Sequence, residues 1–316
     1  MFAARGLAVS LSVFVLVYCA LSLAVGLSWR RFWDYSRKFS IRHTADLLFA
    51  FRTLPLVAAA VITAAFTVPS FLLLEPRAID EPLGGFPMVL GLFGIAMGIT
   101  GLANAGMALR KASETISTWT SEAQPMCASA KIPVLRIPRP LPAMTVAGIV
   151  SARVLVSRLA ESTLSGNELE TALKHEVAHV SRRDNLKKLV LRFVAFPGMK
   201  GLEAAWLEAT EMAADDAAVT NAGEALDLAA ALIKLSRLGT VEPSVDLTAA
   251  LVHSPAAVMN ARVERLLAWT ELRRVPLRKN SSWYGVAAAL ATIAIFSVTY
   301  TQLLTHVHTA TEWLVR

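Results

Sequence analysis

The pentapeptide His175-Glu176-Val177-Ala178-His179 places two imidazole side chains four residues apart, with a carboxylate between them. On an α-helix, positions i and i+4 lie on one face, so both imidazole rings can reach a single metal ion. Glu176 then points at a water molecule bound to that ion. The stretch therefore predicts a helix that carries the chemistry of a zinc hydrolase.

The residues around the pentapeptide predict where this helix begins and which side it buries. Ser165 and Glu168 form the S-x-x-E pattern of a capping box, so the helix is predicted to start there. An apolar stripe at helical spacing predicts the buried face, and the neighbouring face with the histidines is expected to be less buried. The stripe consists of Leu169, Leu173, Val177 and Val180.

The charged stretch 181–185 follows the pentapeptide directly. It places the helix in water or at a membrane surface, which disfavours a protease site inside the bilayer. Asp184 and Asn185 are expected to orient the end of the helix rather than to bind the metal.

A catalytic zinc ion takes three protein ligands and leaves a fourth position for water, so a third ligand is needed. The best candidate is Glu211, in the stretch 206–216, whose composition predicts a second helix that ends near 221–223. Asp215 shares the face of Glu211, so it can accept the outer N–H of a ligand histidine. Glu208 is the rival ligand, and Glu211 is preferred because only it has a carboxylate at i+4.

The composition independently indicates a membrane protein. Hydrophobic residues make up 55% of the 316 residues, and the mean hydropathy is +0.51. Four stretches without lysine or acidic residues approach the roughly 20 apolar residues that cross a bilayer, namely 6–28, 53–74, 86–108 and 284–305. The first is predicted to be an uncleaved span because it exceeds the apolar length of a signal peptide. A buried core helix is the alternative for the third.

The distribution of Lys and Arg predicts the orientation of these spans. The loop between the first two spans is rich in basic residues: Arg30, Arg31, Arg37, Lys38, Arg42 and Arg52. The next loop has one arginine against three acidic residues. By the positive-inside rule the first loop is cytoplasmic, which places the amino terminus outside. The layout is then a membrane region over 1–108, a cytoplasmic domain over 109–283, the fourth span and an external tail over 306–316.

The net charge of +7 has the same explanation as the topology. Basic residues at the ends of apolar spans fix the orientation and contact anionic membrane lipids, so a nucleic-acid partner is not needed. Cys19 lies within the first span and Cys127 on the inner side, so no disulfide is expected.

The cytoplasmic domain is predicted to combine helices and short strands. The third span is expected to continue as a helical stalk over 110–123, and strands are predicted within 131–137 and 144–157. A third helix is predicted over 224–238. We expect Val146–Val150 to be an exposed sheet edge that binds an extended peptide.

The zinc motifs resemble those of a known family. Residues 172–186 are similar to the zinc helix of the membrane metallopeptidases typified by the beta-lactam sensor-transducers, the BlaR/MecR type. Residues 142–157 resemble the strand pair before that helix, and 211–216 resembles the second zinc motif. The likeness covers 125–270, and a more distant one extends to the HtpX-type and CAAX-processing membrane proteases.

The resemblance implies a mainly α, multi-pass membrane protein with four transmembrane helices and a zincin-like (gluzincin) α+β metallopeptidase domain in the cytoplasm. It implies one Zn²⁺ per chain, held by His175, His179 and Glu211. Glu176 is then the general base, and Asp215 supports a ligand histidine.

The resemblance also implies a second catalytic residue, and here the chain departs from the pattern. Related proteases carry a His-Pro-like motif after the second zinc helix, which makes His253 a candidate donor, but Ser254 separates it from Pro255. Arg262 and Arg265 look like the basic residues of the following helix, with packing or a lipid-facing role as the alternative. The penicillin sensor of the receptors would follow the fourth span, where this chain ends, so beta-lactam sensing by this chain alone is not expected.

The expected function is a zinc endopeptidase in the inner membrane of a bacterium. It would cut a cytoplasmic or membrane-associated protein or peptide, such as a transcriptional repressor, under control of a separate sensor protein or of homo-oligomerisation. The alternative is a membrane signalling scaffold with a structural zinc site. The protease is favoured because a structural site is usually closed by four ligands, often cysteines.

Overall fold

The computed structural model describes residues 2–36, 39–76, 84–127, 132–138, 143–194, 196–238, 249–250, 256–269 and 299–313. The described chain is mainly helical and contains one small mixed sheet. It divides into two compact units. We call the first the apolar unit, formed by Met1–Arg30, Ala50–Gly101 and Leu277–Arg316, and the second the sheet unit, formed by Arg31–Phe49 and Leu102–Pro276.

Three of the described helices are long and apolar enough to cross a membrane, Phe2–Tyr35, Ile41–Leu74 and Gly85–Thr120. The first belongs to α1 (Phe2–Ser36). The second runs from α2 (Ile41–Ile62) through a π-helical turn at Thr63–Thr67 into α3 (Val68–Leu74). The third is α4 (Gly85–Thr120). The first three apolar stretches of the sequence lie inside these helices.

Of two further predictions about the apolar stretches, one is confirmed and the other lies mostly outside the described residues. The helical continuation of the third stretch over 110–120 is confirmed, because α4 runs without a break to Thr120. Most of the fourth stretch, 284–298, lies outside the described residues, and its remainder belongs to a helix over 299–313, which we call α11. Within the apolar unit, the Tyr300 hydroxyl of α11 donates to the Ala65 carbonyl at 2.6 Å.

The sheet has five strands in the order β1-β2-β4-β3-β5. They are β1 (Gln124–Cys127), β2 (Val134–Ile137), β3 (Met144–Ala147), β4 (Arg153–Ser157) and β5 (Ala249–Ala250). Only β2 and β4 pair in parallel. The strands predicted within 131–137 and 144–157 are therefore confirmed, the latter as a hairpin whose turn includes Gly148 at a φ of 94°. A Cβ there would lie 2.7 Å from the Ser151 carbonyl oxygen.

The prediction that Val146–Val150 forms an exposed sheet edge is wrong. Strand β3 ends at Ala147 and lies between β4 and β5. On its outer side, Thr145 pairs with Ala250 and Val146 with Ala249. The chain itself therefore covers the hydrogen-bonding edge at these positions, because a distant segment returns to the sheet.

Six further helices are described in the sheet unit. They are α5 (Arg158–Thr163), α6 (Gly166–Arg182), α7 (Asp184–Phe193), α8 (Lys200–Ala218), α9 (Ala222–Ser236) and α10 (Ala256–Leu267). The predicted capping box of α6 is confirmed in both directions, with Ser165 Oγ accepting from the Glu168 N–H and Glu168 Oε2 accepting from the Ser165 N–H at 2.8 Å. Arg183, at a φ of 54°, ends α6 and lets the chain turn directly into α7.

The predicted helices around 206–216 and 224–238 are confirmed as α8 and α9, but the boundary between them differs from the prediction. Asn221 was expected to lie at the carboxyl end of α8, whereas α8 ends at Ala218. Asn221 instead caps the amino end of α9, where its side-chain oxygen accepts the Glu224 N–H at 3.0 Å. Asparagine serves at both kinds of helix end, so sequence alone did not separate the two roles.

The burial predicted for α6 is also wrong. His175 and Glu176 are 0% exposed and His179 is 2% exposed, whereas Leu173 and Val177 of the apolar stripe are only partly buried. The reason is that α6 packs against α8, which brings acidic side chains to face the histidines. The two histidines therefore find polar partners inside the domain.

Candidate metal centre

His175 and His179 of α6 and Glu211 of α8 converge on one point. Their ligand atoms all lie within 4.8 Å of one another. The two Nε2 atoms are 3.1 Å apart, and each lies 3.6 Å from an oxygen of Glu211. The i, i+4 spacing on α6 aims both rings the same way, and the packing of α8 on α6 supplies the carboxylate.

These separations fit a tetrahedral metal ion. Two ligand atoms, each about 2.05 Å from a zinc ion and at a tetrahedral angle, lie about 3.3 Å apart. The measured separations of 3.1 and 3.6 Å fall on either side of that value. Two imidazoles and one carboxylate are also a common ligand set for catalytic zinc. His175, His179 and Glu211 would therefore hold the ion without rearrangement of the helices.

A carboxylate stands beside the outer nitrogen of each histidine. Nδ1 of His175 lies 2.9 Å from Oδ1 of Asp215, and Nδ1 of His179 lies 2.8 Å from Oδ2 of Asp184. Both aspartates are almost fully buried. A carboxylate there favours a proton on Nδ1, which leaves Nε2 free to bind a metal ion.

Asp184 and Asn185 have roles that differ from the one expected. Both were expected to orient the helix end, but Asp184 also contacts a predicted ligand histidine. Asn185 joins α7 to the sheet, because its side-chain amide donates to the carbonyls of Val146 and Gly148 at 3.3 and 3.0 Å. The signal for Asp184 was its position five residues after His179, directly behind the end of α6.

Arg262 of α10 is the buried cation of the centre. It is 0% exposed, and its guanidinium donates to both oxygens of Asp215 at 2.7 and 2.8 Å. Its Nη1 also lies 3.1 Å from Oε2 of Glu211. The sequence left three roles open for Arg262: the basic residue that the resemblance implies on the following helix, a packing role or a lipid-facing role. The spacing of the two arginines could have identified it. Arg262 and Arg265 lie one helical turn apart and pair with two adjacent aspartates, Arg265 with Asp216 at 2.7 Å.

These charges shift the pKa values of the cluster. Burial alone would raise the pKa of Glu211, but His179, Arg262 and His175 lower it to about 2. Burial also opposes the charged form of His175, yet Asp215 and Glu211 raise its pKa to about 9. The carboxylate of Glu211 is therefore ionised at neutral pH, as a metal ligand must be.

Glu176 lies among these groups but pairs with none of them. It is 0% exposed, and neither of its side-chain oxygens has a hydrogen-bond partner among the described residues. Burial raises its pKa to about 7, against the opposing effect of His179 and His175. A buried carboxylate without a hydrogen-bond partner is costly, which makes Glu176 a candidate to bind a further group beside the two predicted ligand histidines.

The remaining predicted site residues lie apart from this cluster or outside the described chain. Glu208, the rival third ligand, does not belong to the group formed by His175, His179 and Glu211. His253 lies outside the described residues.

Lys188 of α7 was not singled out from sequence, and burial lowers its pKa although the nearby carboxylates of Glu211, Asp184 and Glu176 act to raise it.

The apolar unit contains a second group of possible metal ligands, whose ligand atoms also lie within 4.8 Å of one another. The group consists of Glu75, His308 and Glu312. Here Arg5 already supplies the positive charge, with Nη1 2.9 Å from Glu75 and Nη2 3.7 Å from Glu312. We therefore interpret this group as an ion-pair network that joins α1 to α11.

We expect zinc affinity to rise with pH up to about 9. Because the pKa of His175 is about 9 without metal, the ring carries a proton at neutral pH that must leave before Nε2 can bind. The apparent affinity should therefore increase by up to about tenfold per pH unit between about pH 7 and pH 9. Competition titrations with a chelator of known affinity measure this. An affinity that stays flat over that range contradicts the raised pKa.

The replacement Asp184→Asn is expected to weaken zinc binding by about 10- to 100-fold. Asparagine keeps the shape of the side chain but loses the charge that holds the Nδ1 proton of His179. Asp216→Asn is the matched control, because Asp216 pairs with Arg265 at 2.7 Å and lies outside the cluster. Equal losses in the two variants, measured by chelator competition, would show that Asp184 has no specific role.

No model of a known protein family matches the chain, and no curated protein matches it.

Proposed function

We propose that this protein is a membrane-embedded, zinc-dependent endopeptidase that cuts a cytoplasmic or membrane-associated protein. One observation carries the proposal. Three possible ligand atoms from His175, His179 and Glu211 meet within 4.8 Å, close to the buried carboxylate of Glu176, which has no hydrogen-bond partner in the described part of the chain. Three ligands and a free carboxylate are the requirements of a hydrolytic zinc site, which needs an open position for water.

The roles of the residues follow from their chemistry. Zinc bound at such a site lowers the pKa of its water molecule to about 7 and polarises a carbonyl group. Glu176 accepts a proton from the attacking water on a side-chain oxygen and returns it to the nitrogen of the departing amine. Asp215 and Asp184 keep the two histidine rings in the metal-binding tautomer.

The pKa of Glu176 supports this role. A general base works best when its pKa lies near the pH at which it operates, because it must both take up and release the proton. Burial raises the pKa of Glu176 to about 7 in the absence of metal. An exposed glutamate on the same helix would remain a much weaker base.

A scaffold with a structural zinc ion is the second candidate. The observation that favours it is the burial of the centre, since His175 and Glu176 are 0% exposed. A structural site is usually closed by four protein ligands, however, and the described cluster contains three. A structural site would also have no use for the carboxylate of Glu176.

We extend the proposal to family, place and partner on sequence grounds. The motifs at 172–186 and 211–216 support a relation to the BlaR/MecR-type metallopeptidases. The basic loop before the second span supports an inner-membrane protein of a bacterium, with the amino terminus outside and the zinc site facing the cytoplasm. The substrate would then be a regulator such as a transcriptional repressor, and the trigger a sensor protein or a second copy of the chain.

The experiment that tests the proposal compares cells with the intact chain and cells with Glu176→Gln. New protein amino termini are mapped by mass spectrometry in both. We expect a small set of termini that depends on Glu176, and the uncut parent proteins should accumulate in the variant. Identical sets in the two strains, at equal protein levels and under conditions that activate the pathway, would favour the scaffold.

A further inference from the structure

The sheet unit contains a cavity of about 760 Å³ that no part of the proposed reaction uses. Leu173 and Val177 of α6 line it, each two residues from His175 and therefore about 200° around the helix from that ligand. None of the residues that line it belongs to the metal cluster. Its other apolar lining includes Ile132, Val134 and Ala213. The cavity thus explains why the apolar stripe of α6 is only partly buried.

One side of this cavity is cationic. Arg42, Arg182 and Lys187 line it together with Asp46. Asp184, which does not line the cavity, lies 3.6 Å from Nε of Arg182 and 3.9 Å from Nζ of Lys187. Nη2 of Arg182 and Nζ of Lys187 lie 3.4 and 3.0 Å from the same oxygen of Asp46, whose side chain is 52% exposed. Three positive charges thus stand against two carboxylates, of which Asp46 is half in water and Asp184 also bonds to His179, and the local excess favours an anion.

Elsewhere in the lining the charges are paired. Lys174 lies 2.9 Å from Glu170 and 3.1 Å from Glu224. The excess positive charge is therefore confined to the side with Arg182.

Arg182 points to an anion independently of this excess. Its side chain is only 8% exposed, and its Nε has no hydrogen-bond partner among the described residues. The nearest carboxylate to that Nε is Asp184, at 3.6 Å, beyond hydrogen-bond distance. A guanidinium has five N–H donors, and leaving one of them, here Nε, unused in a buried position is costly. An oxygen of a bound anion would satisfy it.

The cationic side of the cavity also lies close, along α2, to the apolar stretch that is predicted to span the membrane. Asp46 precedes the apolar stretch that starts at 53 by seven residues, which is about 10 Å of helix. A bilayer is about 30 Å thick in its hydrocarbon core and 40 to 45 Å with headgroups, so each headgroup layer adds about 5 to 8 Å. Asp46 therefore lies just beyond the headgroup layer, and Arg42, 11 residues or about 16 Å of helix before 53, lies about one turn further from the membrane.

We infer that this cavity binds one anionic phospholipid. The phosphate lies against Arg42, Arg182 and Lys187, and an acyl chain lies against Leu173 and Val177. A phospholipid suits the cavity better than a peptide does, because an acyl chain has no polar backbone groups. A peptide would bring N–H and C=O groups that the apolar lining cannot satisfy.

Native mass spectrometry of the full-length protein in delipidated detergent micelles tests this inference. Phosphatidylglycerol and the zwitterionic phosphatidylcholine are titrated separately. Val177→Trp fills the cavity, and Arg42→Gln removes one cation from an exposed position. Arg110→Gln is the matched control, because Arg110 is equally basic and exposed, lies at the end of another apolar stretch and does not line the cavity.

We expect the protein to retain one phosphatidylglycerol and to bind phosphatidylcholine at least about tenfold more weakly. Arg42→Gln should weaken the one-to-one complex by about fivefold, and Val177→Trp should remove it. Arg110→Gln should behave as the unaltered protein. Thermal unfolding of each variant verifies that it is folded.

Three results would overturn the inference. One is undiminished phosphatidylglycerol binding by folded Val177→Trp, and another is an equal loss in Arg110→Gln and Arg42→Gln, which would indicate diffuse attraction to the surface. The third is preferential binding of a short peptide of Glu and Leu residues that phosphatidylglycerol cannot displace. The test uses no proteolysis, so it stands whether or not the proposed endopeptidase activity is found.

Discussion

The Glu176→Gln variant is expected to keep about one zinc ion per chain. Its rate of peptide hydrolysis is expected to fall by about 10²- to 10⁴-fold. The three predicted ligand side chains remain, so the metal should stay. Glutamine has nearly the same shape as glutamate but cannot accept the proton of the attacking water. The loss should therefore appear in kcat, while zinc content, measured by elemental analysis, is unchanged.

Glu208→Gln is the matched control for this replacement. Glu208 lies on α8, one turn before Glu211, and is not a member of the metal cluster. Its amide variant should keep both zinc and activity. Hydrolysis that persists in zinc-loaded Glu176→Gln would remove Glu176 from the mechanism and support a scaffold.

His175→Ala and Glu211→Ala are each expected to lose both zinc and activity. Each replacement removes one of three predicted ligands. The zinc affinity should therefore fall further than on loss of a carboxylate that only bonds to a ligand histidine, which costs about 10- to 100-fold. Zinc should raise the unfolding temperature of the unaltered protein but not of these variants, because only a folded state that binds zinc is stabilised by it. Chelator competition and thermal unfolding with and without zinc measure both effects.

Glu208→Ala separates the two candidates for the third ligand. We expect this variant to bind zinc as the unaltered protein does, because its side chain does not belong to the cluster. A loss of zinc in Glu208→Ala together with its retention in Glu211→Ala would show that the third ligand is Glu208. Far-UV circular dichroism of the metal-free variants verifies that α6 and α8 remain folded.

Local sequence patterns predicted the parts of the site that lie on single helices. The capping box at Ser165 and Glu168 set the start of α6, and the spacing of His175 and His179 set their common direction. The same reasoning paired Glu211 with Asp215 on α8. The helix start and the shared faces agree with the structure because neighbours on a helix are fixed by its 3.6-residue repeat, whatever packs against it.

Two of the failed predictions depended on which segment packs against which, whereas the error at Asn221 arose because asparagine serves at both kinds of helix end. The apolar stripe of α6 was expected to be its buried face, but a periodic pattern shows only that Leu173 and Val177 share a side. Burial depends on the neighbour, and here α8 covers the histidine face while the other face lines a cavity. The covering of β3 by β5 was hidden for the same reason, since about a hundred residues separate their paired positions.

The sequence by itself determined the apolar helices, the direction of the two histidines and the presence of a carboxylate between them, because these follow from composition and from spacing within one helix. Only the tertiary structure decided that Asp184 contacts His179, that Glu176 is buried with no partner among the residues described, and that Arg262 joins Asp215 to Glu211. Arg262 and Asp215 are 47 residues apart. Contacts over such distances arise from the packing of whole helices, which no local repeat encodes.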